Sequence, residues 1–169
     1  MLSTLDPKAM FHTAESSRRA GEVLQERMFE GEMHLMRPQV VLNALAIEIY
    51  LKCLIVIEDR ATFRSEHELV KLYKKLSHDV RHELDQQAIP LLIHDQRLMN
   101  GFWANTPGIK GPTPHLTVKS LLKMGNRAFE KFRYIYEGKL VDGEGLWAST
   151  LITILRLQIL DLRPDFADA

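Results

Sequence analysis

Glu48 and Lys52 lie four residues apart inside NALAIEIYLKCLIVIE, residues 43–58, a run that is otherwise apolar almost throughout. On a helix this spacing puts the carboxylate and the ammonium on one face, with the acid on the favourable N-terminal side. A helix apolar around its whole circumference belongs inside a protein. A charged pair in that setting needs further partners. The pair is therefore either a structural device or the floor of a site. Arg133 is the residue expected to reach Glu48, because a guanidinium offers a carboxylate two parallel hydrogen bonds.

A second constellation lies in FEKFRYIYE, residues 129–137. Arg133, Tyr136 and Glu137 are spaced to share one helix face. Lys119, Lys123, Arg127 and Lys131 recur every four residues leading into it. Basic groups beside Tyr134 and Tyr136 suit a phosphate and a stacked base, so RNA or a nucleotide is the ligand class these residues point to. The plainer alternative is a solvated face with aromatic anchors. His78 and His82 have the spacing of a two-residue metal clip but no evident third ligand, which favours a solvated helix face. Cys53 is expected to be an inert buried thiol. There is no glycine-rich phosphate loop and no serine nucleophile elbow. No metal or cofactor is expected.

The elements that must position these residues are helices. The chain has 169 residues, enough for one domain with its own core, taken as 1–169. Lys plus Arg and Asp plus Glu each total 22, so no bulk basic excess points to duplex DNA or an anionic membrane surface. The lone cysteine excludes an internal disulfide and fits a cytoplasmic protein. No signal peptide is evident, and the polar interruptions of residues 43–58 argue against a membrane span.

Five main helices and no strand are expected. They run over about 6–28, 38–58, 67–88, 117–136 and 146–162. Gly31 ends the first. Ser77 or Asp79 caps a continuation of the third, and Pro90 kinks or restarts it. Residues 100–114, with three glycines and three prolines, read as a long loop. The last helix is apolar nearly all round, except for Arg156 and Gln158, and half of it is expected to form a dimer interface.

Two segments together resemble the HEPN superfamily of small helical bundles, which includes ribonuclease toxins and phage-defence proteins. They are residues 44–54, ALAIEIYLKCL, and 67–76, HELVKLYKKL, and they are similar to the A-x-E-x-x-L-K-like helix and H-D-L-x-x-L-like helix start of many relatives. The resemblance spans about residues 38–137. It implies an all-α up-down bundle of four to five helices, usually dimeric. In catalytic members an Arg followed by four to six residues and a His cleaves RNA in a dimer cleft, supported by an acid such as Glu48. This sequence departs from that pattern. After Arg133 the required positions hold Gly138, Lys139 and Leu140. The spacing recurs at Arg60 with His67 and at Arg27 with His34.

The expected function is a non-catalytic, dimeric interaction or RNA/nucleotide-binding module; the resemblance implies a prokaryotic defence or stress setting. The binding residues would be Glu48, Lys52, Tyr134, Tyr136 and Glu137. The alternative is a metal-independent endoribonuclease with a rearranged site of Arg60, His67 and Arg133. A third reading is a partner-binding domain that uses residues 100–114.

Overall fold

The computed structural model describes residues 5–60, 65–104, 117–126 and 148–167. Among them are six α-helices and no strand: α1 (Pro7–Phe29), α2 (Met36–Ile57), α3 (Leu69–Lys75), α4 (His78–Ala104), α5 (Val118–Met124) and α6 (Ala148–Leu162). The chain is an all-helical bundle.

Asp6 caps α1 through Lys8 N–H, with Pro7 in the first turn, where its missing N–H is no loss. Gly31 stops the helix at φ 107°, as Gly31 N–H bonds Met28 O and Glu32 N–H bonds Arg27 O. That pair of bonds is the Schellman closure, which needs a left-handed residue. A short 3₁₀ turn, Met33–Leu35, leads into α2. The far end of α2 closes the same way, with Asp59 rather than glycine at φ 55°. Asp59 N–H bonds Val56 O and Arg60 N–H bonds Ile55 O.

The α2 helix is long and apolar enough to cross a membrane by length and composition. In this fold its second half is the centre of the bundle. Ala46, Ile47, Tyr50, Leu51, Cys53, Leu54 and Ile55 are all fully buried, covered by α1, α3 and α6. Leu151, Ile154, Leu155 and Ile159 of α6 complete that core, and Phe11, Tyr50 and Phe166 pack as tilted rings.

The structure redraws three expected boundaries. The third helical region is broken: Leu76 is extended (ψ 152°), and α4 starts anew behind Ser77, whose Oγ accepts Val80 N–H at 3.2 Å. Pro90 does not end α4, which runs through it and takes residues 100–104 out of the expected loop. Pro90 and Gln86, whose carbonyl loses its donor, both sit on the exposed face where water can satisfy that oxygen. Finally, α5 ends at Met124 behind Gly125, so the expected helix to residue 136 is interrupted. Of the basic stripe, only Lys119 and Lys123 lie on that helix; Arg127 and Lys131 lie outside the described residues.

Candidate functional site

Two polar clusters are rooted on α2, at Glu48 and at Tyr50, which are two residues apart and so point to opposite faces of the helix. The first contains Glu48, Lys52 and His67. Glu48 is buried because the helix carrying it is buried, and its helical neighbour Lys52 reaches Oε1 with Nζ at 2.7 Å. The connection after α2 returns His67 to the same oxygen, with Nδ1 at 2.9 Å. The carboxylate side chain is only 5% exposed, whereas the imidazole is 45% exposed. His67 thus bridges a buried anion to solvent.

This geometry selects a tautomer. A carboxylate accepts hydrogen bonds and cannot donate them, so Nδ1 carries the proton and donates it to Glu48. In the neutral ring Nε2 is then the lone-pair nitrogen, without a partner among the described residues. An imidazole fixed in this way is suited to accept a proton from a hydroxyl or, once protonated, to donate to a phosphate oxygen. Both donors converge on Oε1, while Oε2 is buried and has no hydrogen-bond partner among the described residues. An unsatisfied buried acceptor is costly, which leaves Oε2 open to a further donor.

The second cluster is one the sequence reading missed. Glu15 of α1 is buried and gathers donors from three helices. Arg18 binds it with two nitrogens (Nε 3.2 Å, Nη2 3.1 Å), and Arg156 of α6 donates Nε at 3.0 Å. The Tyr50 hydroxyl of α2 donates to the same carboxylate. Arg18 also bridges Glu22 at 2.6 Å. Burial works against the charge on Glu15. The hydrogen bonds from Arg18 and Tyr50 and the two guanidinium charges outweigh it, so the carboxyl sits below its ordinary range. Burial, together with the bond to Glu15, pushes the Tyr50 phenol upward. This cluster fastens α1, α2 and α6 together.

No family model, curated protein or solved structure matches this chain.

The sequence-derived residues fall into three groups. Glu48, Lys52 and His67 come together. Arg60 is exposed at the end of α2, held there by its backbone bond to Ile55. Arg133, Tyr134, Tyr136 and Glu137 lie outside the described residues, as does the expected Arg133–Glu48 contact. Arg27 bridges Glu32 at 2.8 Å on the surface. His78 and His82 stack at 6.3 Å, with His78 exposed, and no metal-ligating group of three occurs among the described residues. Cys53 is buried, donates to Pro7 O at 3.2 Å and has its thiol pushed up to about 12 by burial.

Glu15 carried no local signal. Its partners are 35 and 141 residues away, apart from Arg18. The one hint was the unexplained Arg156 in an otherwise oily helix.

Proposed function

We propose that the chain is a HEPN-like helical module, acting as a homodimer, that binds RNA or a nucleotide where His67 emerges beside Glu48. One observation carries this reading: a half-exposed imidazole whose Nδ1 is anchored on a buried carboxylate, leaving Nε2 for a ligand. Such an anchor gives up little freedom on binding, because Glu48 already holds the ring. Arg60 supplies an exposed cation on the same connection between α2 and α3. Phosphate contacts dominate affinity for RNA and weaken with salt.

The test is fluorescence anisotropy with a short single-stranded RNA at low salt, comparing the full chain with His67→Ala. Losing one charge-assisted contact should weaken binding by about tenfold or more. Absence of binding by the unsubstituted chain, or equal binding by both, refutes the reading.

The same dyad favours a second reading, a metal-independent endoribonuclease. A carboxylate-oriented imidazole can take the 2′-hydroxyl proton while a guanidinium from the same connection, Arg60, stabilises the phosphate charge. This predicts RNA cleavage in the presence of a chelator, abolished by His67→Ala with the fold intact. Intact RNA after prolonged incubation with the unsubstituted protein excludes it.

A further inference from the structure

Arg156 brings a guanidinium into an otherwise oily helix, and the fold uses only one edge of it. Its Nε bonds Glu15, a side chain 7% exposed, while the Arg156 side chain is 36% exposed. Nη1 and Nη2 have no partner among the described residues. Glu15 has little left to offer them. Its Oε1 already accepts from Arg18, Tyr50 and Arg156, and its Oε2 accepts from Arg18. Arg18 is fully engaged as well, because its remaining nitrogen holds Glu22.

A second guanidinium stands beside the first. Arg19 is exposed on α1, one turn beyond Glu15 and about 40° further round the helix. It has no charge partner among the described residues. Helical side chains lean back over the preceding turn, so Arg19 leans toward Glu15, the carboxylate that anchors Arg156. Among the described residues the cluster therefore sets three guanidiniums, Arg18, Arg19 and Arg156, against two carboxylates, Glu15 and Glu22. The surplus is one positive charge, and the unused donors are on the two guanidiniums that reach solvent. A guanidinium already held by its Nε gives up little freedom when a ligand arrives. Donors from two guanidiniums suit the tetrahedral oxygens of a phosphate, whereas a single fork satisfies a planar carboxylate. We propose that Arg156 and Arg19 form a binding site for a phosphate group, free or carried on a nucleotide. The site lies on the Tyr50 side of α2, opposite Glu48, and does not rest on the His67 reading.

The test is a proton–nitrogen NMR titration of the full chain with inorganic phosphate, at an ionic strength held constant with chloride. The amide signals of residues 15–19 and 153–156 and the Nε–H signal of Arg156 should shift and saturate. Arg19→Ala removes a side chain with no polar partner in the fold, and should raise the dissociation constant for phosphate about tenfold, the worth of one charge-assisted contact. Arg156→Lys keeps a charge beside Glu15 but loses the fork, and should weaken binding at least as much. His67→Ala should leave the titration unchanged. Adenosine monophosphate moving the same signals would show that a nucleotide can carry the group; a response to inorganic phosphate alone would show a site for the free anion, and either result upholds the proposal. No saturating shift, or an unchanged affinity in Arg19→Ala, overturns it and leaves the His67 reading standing.

Discussion

Replacing Glu15 by Gln keeps the shape of the side chain and removes its charge. Oε1 would still accept from Tyr50 and Arg156, but an amide NH₂ would face Arg18 Nη2, donor against donor. Charge-assisted hydrogen bonds are worth roughly 1 kcal/mol more than neutral ones. Three guanidinium contacts would then lose about 3 kcal/mol, but Arg18 and Arg156 are partly solvated, which screens the loss to about 2 kcal/mol. For a domain of this size that is a fall in Tm of about 4–8 °C. The sign of the pH dependence follows from the lowered carboxyl of Glu15. A group whose folded value is depressed stabilises the fold above its unfolded value of about 4.3. That stability is lost as pH falls through the folded value. Urea denaturation of both proteins should therefore show a constant gap from neutral pH down to about 5, narrowing at lower pH. A gap below about 0.5 kcal/mol at neutral pH would refute the argument. So would a gap that persists undiminished in acid.

Other outcomes follow from the same geometry. Cys53, buried and with its thiol pushed up to about 12, should resist a thiol reagent at mildly alkaline pH in the native state and react readily in urea. Fast native labelling would show that the core around Pro7 opens. Ser77→Ala removes the side-chain cap of α4 and should cost about 0.5–2 kcal/mol in a urea titration. No measurable change would mean that the bond from Ser77 N–H to Glu58 suffices to start that helix.

Local patterning made part of this molecule legible. The apolar circumference of residues 43–58 placed α2 inside, and the i, i+4 spacing placed Lys52 on Glu48, because both follow from helical geometry alone. Gly31 as a helix stop and Ser77 as one of two candidate caps were readable for the same reason; the fold chose Ser77 over Asp79. Helix ends governed by exposure were not. Pro90 passes without a break because its side of α4 faces water, and a sequence does not state which side that is.

The long-range partnerships were decided by the tertiary structure. His67 lies nineteen residues from Glu48, and Arg156 lies 141 from Glu15. Such pairs form only once the bundle fixes which helix faces meet. Sequence alone established an oily central helix holding a paired charge. Packing chose the imidazole that joined it.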